Sequence, residues 1–129
     1  MSGFLLDTNT ALFALAAPEN LSGEAHAAIL AGPNHLSVLT YWEVLLKSMK
    51  GKLDVGDPRR WWTDALDQLA AAPLLLRPEH VAGIFTLGAH HQDPFDRALI
   101  AQAIAEGLTL ISSDNEIARN AADGLQTIG

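Results

Sequence analysis

Phe4-Leu5-Leu6-Asp7-Thr8-Asn9-Thr10 is the stretch from which the rest of the chain reads most easily. Three apolar residues without polar alternation make a short strand buried on both faces. The polar cluster that follows is a helix start, and residues 11–17 continue as a helix that Pro18 ends. A buried strand that runs straight into a helix is the first unit of an α/β chain.

The same alternation recurs outward from this unit. Ser22 caps a helix over Gly23–Ala31, closed by Gly32-Pro33. Residues 35–38 read as a second strand. Thr40-Tyr41-Trp42-Glu43 fits the S/T-x-x-E capping box and opens a helix to about Lys50, with Gly51 its end. Asp57-Pro58 starts a helix to about Ala72, and residues 74–76 form a third strand. Pro78-Glu79 begins a helix to Leu87 or Gly88, and residues 88–92 form a loop. Asp93-Pro94 then begins a strongly apolar helix to Glu106, stopped by Gly107. Residues 108–111 make a fourth strand, 115–121 a short helix, and 125–128 a last strand. Short buried strands separated by helices predict an α/β sandwich with a mainly parallel sheet.

The chain has 129 residues, the length of about one domain, so 1–129 reads as a single unit. Apolar residues make up 49%, too many for a disordered chain. No apolar run approaches the ~20 residues that span a membrane, and the first residues have no basic region of a signal peptide. Cysteine is absent, which excludes disulfides, thiolate metal sites and cysteine nucleophiles and fits a reducing cytoplasm. Eight basic and 15 acidic side chains leave a net charge of −7. That excludes binding of nucleic acid by overall positive charge, though not nucleic acid as a substrate.

In open parallel sheets, ligands sit at the carboxyl ends of the strands, near the point where strand order reverses. Asp7 follows the first strand and Asp114 the fourth, while Glu43 and Asp96 fall in the first turns of helices. Each acid has a structural reading. Asp7, Asp93 and Asp114 suit helix caps, Glu43 the capping box, and Asp96 the helix dipole. Yet Thr8, Asn9, Thr10, Ser112 and Ser113 offer uncharged caps at two of these places. Two carboxylates ~4 Å apart repel by about 1 kcal/mol in water and several times more near a protein surface. A cation offsets that repulsion. Oxygen donors without cysteine favour Mg2+, with Mn2+ as a substitute. Such an ion activates water and clamps a phosphodiester.

Four pieces of the chain resemble a known family. They are Phe4-Leu5-Leu6-Asp7-Thr8-Asn9, Tyr41-Trp42-Glu43-Val44, His91-Gln92-Asp93-Pro94-Phe95-Asp96-Arg97-Ala98-Leu99-Ile100-Ala101-Gln102-Ala103, and Leu110-Ile111-Ser112-Ser113-Asp114. In this order they resemble the PIN-domain ribonucleases, and within them the VapC toxins of bacterial type II toxin–antitoxin pairs. Asp-Pro-Phe-Asp-Arg is the most specific piece. The resemblance implies a three-layer α/β/α fold and an acidic metal site on Asp7, Glu43, Asp96 and Asp114. It implies Mg2+-dependent endoribonuclease activity that leaves a 5′-phosphate, a homodimer, and inhibition by a cognate antitoxin protein. One departure is Ser-Ser-Asp-Asn-Glu, where many relatives have Thr-x-Asp. Glu116 is therefore an alternative to Asp114, which is preferred because it lies nearer the strand end.

Five of the eight basic residues fall between Lys47 and Arg60. Lys47 and Lys50 suit either an RNA backbone contact or a helix C-terminus. Arg97 suits a phosphate, or a neighbouring carboxylate. Thr8 and Asn9 suit support of the metal site, or caps. His90 and His91 lack a third ligand at zinc spacing and read as loop residues. Trp61 and Trp62 diverge on their helix, so one of them faces a groove or partner. Two other functions compete with an RNA-cleaving one. A phospho-aspartate phosphatase would use Asp7, but the position of its usual partner acid is Asn9. A non-catalytic binding module would leave the acids as caps. One bound Mg2+ would bring the net charge to −5, so the charge restricts how RNA is bound rather than whether it is.

Overall fold

In the computed structural model, which describes residues 3–88 and 93–129, β1 (Phe4–Leu6) runs through Asp7 directly into α1 (Thr8–Ala16). The chain continues through α2 (Gly23–Ala31), β2 (Asn34–Ser37), α3 (Val38–Met49), α4 (Pro58–Gln68) and β3 (Ala71–Leu74). It then forms α5 (Pro78–Ile84), α6 (Pro94–Glu106), β4 (Thr109–Ile111), α7 (Asn115–Ala118) and β5 (Gln126–Ile128). Among the described residues, five strands form one sheet in the order β3-β2-β1-β4-β5, and every pairing is parallel. The expected parallel α/β sheet is therefore present. No helix of the described residues is long and apolar enough to cross a membrane.

Two cores flank this sheet, and neighbouring strand residues feed opposite ones. Leu5 and Leu110 join Leu39 of α3 and Leu99 of α6 on one face. Leu6, Leu36 and Ile111 join Ala11 of α1, Ala25 and Ala28 of α2 and Ala65 of α4 on the other. This is the two-residue period of a strand covered on both sides, and it makes the three layers. Ala98 to Ala103 of α6 are all buried, as expected of a helix apolar all round.

Several boundaries differ from the sequence reading. α3 begins at Val38, and the Ser37 side chain caps it by accepting from Leu39 N–H at 3.0 Å. Thr40 and Glu43 thus lie inside the helix, and they form no capping box. Residue 38 belongs to α3 rather than to β2. α4 stops at Gln68, not Ala72. The Asn34 amide holds the Leu69 carbonyl at 3.1 Å, and the chain turns through Ala70 at φ 48. β2 then pairs residue for residue with Ala71–Leu74. The third strand therefore precedes Leu75 and Leu76, which are exposed. β3 is an edge strand, where Pro73 and its missing N–H are tolerated.

Candidate active site

The strand order reverses between β1 and β4, and a cleft of about 280 Å³ opens beside that point. Asp7 enters it from the end of β1, Glu43 from α3, Asp96 from the first turn of α6 and Asp114 from the turn after β4. Four sequence-distant carboxylates thus share one cleft, as crevices at such switch points allow. Thr8, Asn9, Lys47, Asp93 and Ser113 complete the lining.

Asp7 is buried and caps α1, its Oδ1 accepting from Thr10 N–H at 2.8 Å. Burial raises its pKa above 3.8, and the nearby Asp114 charge adds to that. Hydrogen bonds from Ser112 and Thr10 oppose the rise. The Ser112 hydroxyl also accepts from Asp114 N–H at 3.1 Å, so one serine ties the two strand-end acids together. Asp114 caps α7 through Glu116 N–H at 2.9 Å. Asp93 caps α6 through the N–H groups of Phe95 at 2.9 Å and Asp96 at 3.1 Å. The capping reading therefore holds for Asp7, Asp93 and Asp114, and the same acids line the cleft.

Glu43 has a different role from the one its spacing suggested. Its side chain is buried against α1, where Thr8 Oγ1 donates to Oε1 at 2.7 Å. Thr40 Oγ1 stands 3.1 Å from Thr8 Oγ1. Because the single Thr8 proton goes to the carboxylate, Thr40 is the donor to Thr8. On the outer side, Lys47 Nζ pairs with Glu43 Oε2 at 3.1 Å.

The remaining candidates divide. Asn9 is an exposed cleft residue. Lys50 is exposed and outside the lining. Glu116 is also outside it, exposed, with Oε1 3.8 Å from Arg119. Arg97 points elsewhere, donating to the carbonyls of Gly88 at 2.9 Å and Ile84 at 3.2 Å, so it joins α6 to the end of α5. Trp62 stacks on Tyr41 with centroids 4.9 Å apart, while Trp61 lines a separate groove. His90 and His91 lie outside the described residues. Thr40 and Ser112 have no sequence signal as site residues, because only the packing of α3 against α1 and the pairing of β4 with β1 bring their hydroxyls to the acids.

Among the described residues, no three acids or histidines converge, as the side chains stand, tightly enough to hold a metal ion. The donor chemistry nonetheless fits a hard divalent cation. It is oxygen-only, five carboxylates including Asp93 line one small cleft, and Asp7 bears the desolvation cost that a cation relieves.

The profile of the PIN domain family matches residues 4–123. Solved structures match over nearly the whole chain. A chain of DNA-bound VapBC from Salmonella typhimurium has a TM-score of 0.72 at 18% identity, covering 99% of this chain and 98% of that one. A chain of VapBC2 from Rickettsia felis, bound to a DNA fragment from their promoter, has 0.70 at 16% with the same coverage. A chain of VapBC-5 from Mycobacterium tuberculosis, a member of the VapBC family of toxin–antitoxin systems, has 0.57 at 20%, covering 98% and 97%. At these identities the likeness is one of fold. Among curated proteins, none matches the chain.

Proposed function

The chain belongs to the PIN domain family, and on that premise we propose that it is a Mg2+-dependent endoribonuclease acting as the toxin of a toxin–antitoxin pair. The observation that carries this reading is the meeting of Asp7, Glu43, Asp96 and Asp114 in one cleft at the sheet's switch point. These four residues would hold the ion. A divalent ion there supplies a centre that activates water and stabilises charge developing on a phosphodiester.

The chain's own groups prepare the site. The Thr40–Thr8 hydroxyl pair holds Glu43 in one orientation. Ser112 keeps Asp7 and Asp114 in register. Lys47 supplies a positive charge within an otherwise acidic cleft, suited to a phosphate group once RNA is bound. The acidity also suits an antitoxin that inserts Arg or Lys, by charge complementarity. The VapBC likenesses support such a partner. Exposed Trp42 and Met49 on α3, Val81 on α5 and Phe85 just after α5 support burial of these surfaces in a homodimer. We place its work in the cytoplasm, in keeping with the absence of cysteine.

The capping bonds of Asp7, Asp93 and Asp114 favour the alternative of a non-catalytic module. One experiment separates the two. The purified chain is incubated with single-stranded RNA in Mg2+ or in EDTA, beside Asp7→Asn and Asp96→Asn. Cleavage in Mg2+ alone, lost in both variants, is expected. Cleavage that persists in EDTA or in both variants overturns the carboxylate–metal mechanism, and no cleavage at all favours the module.

A further inference from the structure

We propose that Lys47 is the built-in counter-ion of this cleft and competes with a divalent cation for Glu43. The inference rests on reading the cleft as a divalent-cation site and adds to that reading what guards it. Both oxygens of Glu43 are engaged: Oε1 accepts from Thr8 at 2.7 Å and Oε2 pairs with Lys47 Nζ at 3.1 Å. The two contacts differ in how easily they open. The Thr8 hydroxyl is buried and backed by Thr40, itself buried on α3. The Lys47 side chain is 42% exposed and sits on a flexible four-carbon stem. A cation that takes Glu43 therefore takes Oε2 and displaces the ammonium.

The placement of Lys47 favours the pair while the cleft is empty. It follows Glu43 by four residues on one helix, with the acid nearer the N-terminus, the better order for such pairs. Among the described residues that line the cleft it is the only basic one, so it offsets part of the repulsion among Asp7, Glu43, Asp96 and Asp114. An ammonium and a divalent cation at the same oxygen repel. The pair thus stabilises the empty cleft and weakens metal affinity together.

Calorimetric titration with MnCl2, without RNA, tests this on the whole chain and on Lys47→Met, Lys47→Arg and Lys50→Met. Lys47→Met should bind Mn2+ about threefold tighter or more and melt lower without metal. Lys47→Arg keeps a cation beside Glu43 and should stay near wild type. Lys50→Met removes the same charge outside the cleft and should leave affinity unchanged. Equal or weaker affinity in Lys47→Met overturns the competition and leaves the cation site standing. An equal gain in Lys50→Met overturns it too, as an effect of bulk charge. Absence of saturable Mn2+ binding in every protein overturns both the competition and the cation site.

Discussion

Thr8 Oγ1 donates to Glu43 Oε1 at 2.7 Å, joining the first residue of α1 to the middle of α3 across 35 positions of sequence. The bond explains how a buried acid is tolerated so far from a helix end. Thr8→Val keeps the shape and removes the donor. It should cost about 1.5–3 kcal/mol, the worth of a hydrogen bond to a charged group. In a Glu43→Leu background the same change should cost little, since no carboxylate is left without its donor. Urea unfolding of the four proteins checks this, and equal costs in both backgrounds would refute the coupling.

Asp7 carries a sign that pH can read. Burial holds its carboxyl above 3.8, so the folded chain keeps this proton to higher pH than the unfolded chain does. The folded state binds more protons between the two values, and the contribution of Asp7 to stability falls as pH rises through that window. Asp7→Asn removes this loss, and asparagine caps a helix as well as aspartate. The variant should melt above wild type at neutral pH, with the gain vanishing well below pH 3.8. Melting curves from pH 3 to 8 measure it. A variant less stable at neutral pH would contradict the desolvation argument.

On the proposed reading Mg2+ should raise the melting temperature, because an ion held in the folded cleft would relieve its repulsion. At 100 times the dissociation constant the gain is about 2.7 kcal/mol. Asp96→Asn should respond less at every Mg2+ concentration. A response equal to wild type would remove Asp96 from the set of metal-holding residues.

Arg97 tests whether a charge next to Asp96, one of the acids proposed to hold the metal, touches substrate or scaffold. Its guanidinium donates to the Gly88 and Ile84 carbonyls. Arg97→Met should lower stability by about 1–3 kcal/mol, while cleavage per folded molecule stays unchanged. Loss of RNA affinity at unchanged stability would return Arg97 to the substrate.

Much of this was legible in the residues alone. Phe4-Leu5-Leu6 and Leu110-Ile111 specify strands buried on both sides, because no polar residue interrupts them. Asp93-Pro94 and Gly107 bracket α6 as cap, first-turn proline and left-handed stop. The acids behind β1 and β4 follow from the same local pattern, as does the family. The start of α3 did not, since Ser37 and Thr40 are both good caps by type. Pairing of β2 with its neighbours settled the choice, by keeping residues 34–37 extended. Edge strand β3 begins three residues ahead of the apolar run 74–76, because Ala71–Leu74 carries no strand signal of its own and is held there by the β2 ladder.

By itself, then, the sequence determined the alternation of buried strands and helices and the positions of the four acids, because hydrophobic period and cap chemistry act over a few residues. Only the tertiary structure decided which polar groups meet those acids. Thr8 reaches Glu43, Ser112 reaches Asp7, and Arg97 turns to backbone carbonyls. Those choices depend on how helices seat on the two faces of the sheet, and contacts across 35 or 101 positions leave no mark in local pattern.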